Sequence, residues 1–455
     1  MNLRNITILI PLLLLSLSSM AQESLRTQFT TYPLRKDAEV GDVSASANYI
    51  AFAPQFIEAE EGVRLAQQSF EVSQSWVDAS AYLHIEGVGA GYTLWINGRE
   101  VADCNDSYSP IEYEISRFLR VGENVVSILL HPSAFAQLEQ GIEPIKREIF
   151  EGSYIYTQSR LKVLDYSLEL TKYEEGGHQH GQLFIDVVVE NRFNYDETID
   201  VGFDIYDPSG KLLDFSSSEV TLAGGATDTI RFAPYLYGAE KFLWEPSKSK
   251  MVWSGGRQVK KYEDQPLYTV MLFTRRNRVS SDYIPFKVGF FVPQYADGKL
   301  SIDDREIFIS SYPYSTTGDK AQSEKELRAI KDRGYNTIIP SVPQPIWFYT
   351  LCDKIGLYVI DQVAINALEA SKDKSVGGSP SNDPALLGEY LERVKRAYYR
   401  TRNFSCVVAY SLGGDSGNGY NMYKAYQWLK SVEERRPIIY TGAAGEWNSD
   451  PLTIR

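Results

Sequence analysis

Near Gly298 the rhythm of apolar residues changes, and that change limits the folds open to the chain. Before it, short segments such as Tyr82-Leu83-His84-Ile85-Glu86 and Tyr92-Thr93-Leu94-Trp95-Ile96 lie between turn residues, the pattern of antiparallel strands with one face in a core. After it, continuous apolar runs alternate with helical stretches, the pattern of parallel strands covered on both faces by helices. The runs are Ile307-Phe308-Ile309, Thr337-Ile338-Ile339, Leu357-Tyr358-Val359-Ile360, Val407-Val408-Ala409-Tyr410 and Pro437-Ile438-Ile439-Tyr440. Helices are predicted near 323–333, 345–355, 383–400 and 421–432. Ser323 with Glu326 forms a capping box for the first, and Gly356 supplies the C-terminal stop of the second.

The β-rich part divides in two. In residues 22–155, Asn97-Gly98 between alternating runs is a strong hairpin signal, because both turn residues must accept positive φ. This segment reads as a jelly-roll sandwich. Residues 156–292 carry strands at Leu183 to Glu190, Val201 to Tyr206 and Tyr268 to Thr274, with a turn at Asp207-Pro208-Ser209-Gly210. They suit an immunoglobulin-like sandwich without a disulfide between its sheets. Cys104, Cys352 and Cys406 are too scattered for a disulfide scaffold or a zinc site and are expected as buried thiols. His178-Gln179-His180 lies at a hairpin tip and reads as a solvated turn, since no third metal ligand is near in sequence.

At the N-terminus Arg4 precedes an apolar run from Ile6 to Leu17, followed by Ser19-Met20-Ala21. A cation, a short apolar stretch and a small-x-small site predict a signal peptide over residues 1–21, cleaved after Ala21, and export to the periplasm or beyond. The run is too short to serve as a membrane anchor, and no later segment is apolar enough to cross a bilayer. With a net charge of −13 and 46 Lys and Arg against 59 Asp and Glu, the composition excludes an extended basic surface of nucleic-acid type.

In a parallel βα barrel, reactive side chains lie at the C-terminal ends of strands. The predicted ends carry Ser310-Ser311-Tyr312, Ser341-Val342, Asp361-Gln362, the glycine-rich Gly413-Gly414-Asp415-Ser416-Gly417-Asn418-Gly419, and Thr441-Gly442. Glycoside hydrolysis needs two carboxylates, about 5–5.5 Å apart for retention and about 6.5–9.5 Å for inversion. Asp361 and Asp415 are the carboxylates offered at strand ends, with Glu446 a few residues past the fifth strand. The bland reading of Asp415 is a capping or turn aspartate in a glycine-rich loop.

These residues carry a resemblance. Trp347-Phe348-Tyr349-Thr350-Leu351-Cys352-Asp353-Lys354-Ile355-Gly356-Leu357-Tyr358-Val359-Ile360-Asp361 resembles the W-Y-T-L-C-D-x-x-G-L-Y-V-x-D-E motif of glycoside hydrolase family 2, and Tyr410 to Gly419 is similar to that family's W-S-L-G-N-E-S-G-H-G. Arg402-Asn403, Trp428 to Val432, Leu94 to Gly98, Phe118 to Asn124 and the junction Val288-Gly289-Phe290 also match. The resemblance spans nearly the whole segment after residue 21. It implies a jelly roll, an immunoglobulin-like sandwich and a (β/α)8 TIM barrel, the last over residues 293–455 and incomplete with five strands of eight. It also implies retaining hydrolysis of terminal β-galactosides or related β-glycosides.

The same resemblance shows departures. The family's Asn-Glu pair, whose Glu is the acid/base, corresponds to Gly414-Asp415, so Asp415 is the candidate acid/base with a stem one methylene shorter. Asp361, Gly414 and Asn418 are the candidate substrate-binding positions. The family's magnesium-site Glu and His correspond to Asn366 and Leu368; leucine cannot ligate a metal, so no metal and no cofactor are expected. All four histidines, His84, His131, His178 and His180, precede the barrel, and the family's sugar-contacting Asp of the first domain has no counterpart in Gln140 to Gly152. The nucleophilic Glu is expected on a later strand that this chain does not contain. Three readings follow: a secreted hydrolase of terminal β-glycosides whose sequence here is incomplete, a non-catalytic module that binds a glycan or a protein, and a truncated gene remnant; the chain as it stands is expected to be catalytically impaired. A carbohydrate partner is expected; glycan identity and oligomeric state are not legible.

Overall fold

The computed structural model describes residues 25–454 apart from 59–63, 78, 303–304, 316–317, 369–372 and 374. The expected signal peptide and its cleavage site lie outside the described residues. No described helix is long and apolar enough to cross a membrane.

Two antiparallel sheets form the first sandwich. One orders the strands Ile50–Ala51, Tyr154–Ser159, Ala79–Ile85 and Ile111–Glu114; the other orders Gln55–Glu58, Arg64–Val72, Gly122–His131, Gly91–Ile96 and Arg99–Cys104. Inward residues of both, among them Leu83, Ile85, Leu94, Ile96, Val126 and Ile128, make one core. The predicted hairpin turn is present, with Asn97 at φ 52° and Gly98 at φ 74°. The second sandwich packs Leu161–Glu175, His178–Asn191 and Thr227–Phe232 against Leu212–Leu222, Glu197–Tyr206, Tyr268–Arg276 and Val279–Val288 over a separate core. A ribbon of two strands, Ser249–Ser254 and Arg257–Tyr262, pairs only with itself.

Five parallel strands follow: β1 (Ser311–Tyr314), β2 (Thr337–Pro340), β3 (Tyr358–Gln362), β4 (Val407–Ser411) and β5 (Ile438–Ile439), in that spatial order. Helices α1 (Lys320–Asp332), α2 (Ile346–Ile355), α3 (Leu387–Thr401) and α4 (Tyr420–Val432) connect them. This is the multidomain β and α/β architecture that the sequence predicts. Gly356 ends α2 at φ 77°, and all three cysteines are free and buried.

Three local expectations are corrected. The run Ile307-Phe308-Ile309 is not the first strand. Asn336 holds this backbone instead, donating to the Phe308 carbonyl at 2.7 Å and accepting from the Ser310 amide at 2.8 Å, so β1 begins at Ser311. Pro313 is tolerated there because β1 lies at the sheet edge. Helix α1 starts a turn earlier than its expected box: Asp319 caps it by accepting from the Gln322 amide, while Ser323 is buried inside the helix. The segment expected as helix from residue 383 opens with short 3₁₀ turns at Pro380–Asn382 and Pro384–Leu386 before α3 begins at Leu387.

The three bodies are tied by buried and part-buried polar contacts. Arg402 bonds Asp165 at 2.6 Å, and Asn403 donates to Thr27 Oγ1 and the Tyr166 carbonyl, both at 3.0 Å. Arg393 of α3 is fully buried against Glu139 at 2.7 Å and Asp106 at 3.5 Å from the first sandwich. Trp244 donates its indole N–H to the Asp353 carbonyl at 2.8 Å and packs edge-on to Phe291.

Candidate functional site

The loop after β4 is held on both flanks. Toward β3, the Gly414 amide donates to the Ile365 carbonyl at 2.7 Å, the Leu368 amide donates to the Asp415 carbonyl at 2.9 Å, and the Ala367 amide donates to Ser416 Oγ at 2.9 Å. Toward β5, the Tyr440 hydroxyl donates to the Gly417 carbonyl. Gly413 is required by its backbone: its φ is 142° and a Cβ there would lie 2.5 Å from the Ile365 carbonyl oxygen. The loop that carries Asp415 is thus held by the segments that follow β3 and β5, while the Asp415 side chain is exposed and has no hydrogen-bond partner among the described residues. A carboxylate on a rigid support with free lone pairs suits proton transfer to a bound molecule.

Asp361 does something else. It is 1% exposed and lies on the helix side of the sheet, where Tyr349 of α2 donates to one oxygen and Thr401 of α3 to the other, each at 2.7 Å. Burial raises its pKa, against the hydrogen bond from Tyr349 and the nearby Arg400 charge. Both oxygens are occupied by protein donors, so the expectation of a substrate contact at Asp361 is corrected: it braces two helices against β3. Asn418 is likewise not offered to a ligand. It is buried, and its amide exchanges reciprocal hydrogen bonds with Asn448 at 3.0 and 2.9 Å, which ties the β4 loop to the segment after β5. Glu446 is exposed and accepts from the Tyr423 hydroxyl at 2.6 Å.

Gly414 borders a filled niche. A Cβ at Gly414 would lie 2.7 Å from Asn366 Nδ2, and one at Gly141 would lie 2.3 Å from Asn366 Oδ1. The Asn366 side chain is therefore pressed between a loop of the first sandwich and the β4 loop. It donates to the Gly141 carbonyl at 3.1 Å, and its Oδ1 is buried without a partner. Its backbone completes the seam: the Asn366 amide donates to the Leu138 carbonyl at 2.6 Å and its carbonyl accepts from the Gly141 amide at 2.9 Å. Ile142 and Tyr108 pack on Ala364 beside this seam, so the first sandwich covers the mouth of the sheet at β3. Leu368 is exposed in the same loop. Among the described residues no group of three or more His, Cys, Asp or Glu is placed to hold a metal ion.

Sequence reasoning missed Tyr349, Thr401, Gly141, Tyr440 and Asn448. Tyr349 lies inside the motif that also carries Asp361, and twelve positions separate the two, but nothing in the sequence says that they touch. Gly141 and Asn448 meet the barrel loops only through tertiary packing.

The comparisons with known proteins agree with this architecture. Residues 39–160 match the glycosyl hydrolases family 2 sugar binding domain and residues 319–453 match the TIM barrel domain of the same family. The chain belongs to glycoside hydrolase family 2. It is 25% identical over 393 residues to a β-galactosidase of Priestia megaterium, covering 82% of this chain and 36% of that protein. A β-galactosidase of Leuconostoc mesenteroides is 24% identical over 431 residues, covering 86% and 37% respectively. The chain therefore spans a little over a third of the length of the curated relatives it matches. In fold it is similar to a Bacteroides uniformis β-glucuronidase, with a TM-score of 0.66 at 15% identity over 83% of this chain and 46% of that one.

Proposed function

We propose that this chain is an exported, carbohydrate-active protein of glycoside hydrolase family 2 type, that Asp415 is its acid/base position toward a terminal β-galactoside or related β-glycoside, and that hydrolysis by the chain as it stands is impaired. What supports the role of Asp415 is the free carboxylate on a loop clamped from both sides. What supports impairment is that Asp361, the other carboxylate at a strand end, has both oxygens taken by Tyr349 and Thr401, while Glu446, past the fifth strand, is exposed and accepts one hydrogen bond from Tyr423. That leaves Asp415 as the carboxylate of the two strand ends with both oxygens free, where the reaction needs a pair. The shorter stem of aspartate also withdraws the proton donor by roughly 1 Å, an error that costs on the order of 100-fold.

The test is hydrolysis of aryl β-galactoside and aryl β-glucuronide by the purified chain and by Asp415→Ala. Turnover at background for both proteins is expected; turnover above background that disappears in Asp415→Ala overturns the impairment and leaves the acid/base role standing. Export is tested by intact mass after secretion, with Gln22 expected as the first residue and retention of Met1 overturning it.

A non-catalytic glycan-binding role is favoured by one observation. Asn366 fills the space beside Gly414 and the 138–142 loop covers the β3 end, which takes away room in which a substrate could be enclosed there.

A further inference from the structure

We propose that the two-stranded ribbon from Lys248 to Tyr262 binds an acidic polysaccharide. Within these residues Lys248, Lys250, Arg257, Lys260 and Lys261 are cationic and there is no Asp or Glu, in a chain whose net charge is −13. The strands Ser249–Ser254 and Arg257–Tyr262 pair only with each other, through a turn at Gly255 and Gly256 with φ 58° and 76°. All five cations are exposed.

Two features of the ribbon are unfavourable unless something binds it. Lys250 and Lys261 stand directly opposite across the ladder, and like charges in that position destabilise a strand pair. The carboxylate beside them is Glu263, which pairs with Lys250 and whose pKa is lowered by its hydrogen bond to Lys250 and by the charges of Lys250, Lys248 and Lys261. One carboxylate among three ammonium groups leaves an excess of positive charge. The second feature is apolar. Trp253 is 73% exposed and Met251 56% exposed, and the register puts them on one face, opposite Gln258 and Lys260. Lysines alone would serve to keep an open strand edge from pairing with another chain; they give no reason for a bare indole.

A charged sugar chain answers both features. The indole face stacks on the apolar face of a sugar ring, and flanking ammonium and guanidinium groups take its carboxylates or sulfates as charge-assisted hydrogen bonds. The cations lie on both faces of the ribbon, since Lys250 and Lys261 share the face opposite to Met251 and Trp253. A flexible polyanion can reach both faces, whereas a planar bilayer meets one. The ribbon is separate from the Asp415 loop, so the inference does not depend on how the barrel face is read.

The experiment measures binding of the full chain to polygalacturonate, which carries carboxylates, to dextran sulfate, which carries sulfates, and to neutral dextran. Phosphatidylglycerol vesicles and a single-stranded oligonucleotide are the competing polyanions. The acidic net charge sets a low background for non-specific attraction. Binding to at least one acidic polysaccharide is expected, weakened by salt and absent for neutral dextran. Lys250→Glu with Lys261→Glu is expected to weaken it about tenfold or more. Trp253→Ala is expected to weaken it about fivefold with an unchanged salt slope, which a purely electrostatic role would not give. All these variants lie outside the cores and should keep the melting temperature of the parent. No binding to either acidic polysaccharide, or binding to vesicles or the oligonucleotide at least as tight, overturns the proposal.

Discussion

Asp361 and Asp415 close neighbouring strands of one parallel sheet and have opposite fates. Asp361 pairs in register with Tyr410 of β4, is buried, and gives both oxygens to the helices behind the sheet. Asp415 lies four residues past the end of β4, is exposed, and gives neither oxygen to the described protein. The difference is one of place: Asp361 is still inside its strand with its side chain on the helix face, whereas Asp415 is in the loop beyond its strand. Alternate residues of a strand point to opposite faces of the sheet, so a carboxylate still inside a strand can be turned to the helices as a brace, while one in the loop past the strand end is released to the mouth.

The largest effect should come from removing the brace. In Asp361→Ala the Tyr349 hydroxyl loses its buried acceptor, while Thr401 can turn to the Ala397 carbonyl, which it already approaches at 2.9 Å. Leaving the phenol unpaired and a void beside it should cost about 2–4 kcal/mol in denaturant unfolding. Asp361→Asn keeps an acceptor for Tyr349 and should cost clearly less. A loss within about 0.5 kcal/mol for Asp361→Ala would mean that the residue is not a brace.

A second buried carboxylate of this barrel sharpens the contrast through pH. Asp353 accepts from the Cys406 amide at 2.6 Å, and burial pushes its pKa up to about 7. An aspartate in the unfolded chain titrates near 3.9. The folded state therefore holds a proton that the unfolded state has lost between about pH 4 and 7, and this contribution to stability falls as pH rises through that window. Asp353→Asn should flatten the decline in melting temperature from pH 5 to pH 8 relative to the parent. At Asp106 the sign is opposite: though burial opposes it, the Arg393 and Arg396 charges hold its pKa at about 2, so its contribution is lost only in strong acid.

How much of this was legible in the sequence follows from where the information lies. The Asn97-Gly98 turn and the Gly356 helix stop were readable because positive φ is a local demand on the residue itself. The change from alternating to continuous apolar runs gave the two layer types for the same reason. The role of Asp361 was not readable, because Tyr358-Val359-Ile360-Asp361 is buried on both faces and has no alternation to show which way the carboxylate turns. Arg402-Asn403 was visible as a matching pair, yet its work is to join the barrel to Asp165, Tyr166 and Thr27. Gly414 was legible as a candidate substrate-binding position beside Asp415; that Asn366 from the neighbouring loop presses into the same space is a contact between residues 48 positions apart, which no local rule supplies.

That filled niche gives a third test, smaller than the first two. Gly414→Ala places a methyl group 2.7 Å from Asn366 Nδ2, and Asn366 cannot retreat because Gly141 closes on its other side. The overpacking should cost about 1–3 kcal/mol. In an Asn366→Ala background the same substitution should cost much less, a non-additivity that measures the contact directly. Equal costs in the two backgrounds would show that Asn366 does not occupy the space.

The smallest effect on stability should be at Asp415, and its smallness is what makes the position informative. Its carboxylate has no partner among the described residues, and the loop is held by backbone groups of Gly414, Asp415 and Gly417 together with Ser416 Oγ. Asp415→Ala should therefore shift the unfolding free energy by no more than about 0.5 kcal/mol. If the side chain is kept for a bound molecule, the change should appear in glycan affinity or in residual hydrolysis. Asp415→Glu, which restores the missing methylene on the same clamped backbone, should move that readout upward. Destabilisation well beyond 0.5 kcal/mol would make Asp415 a second brace, and the contrast with Asp361 would then be one of degree.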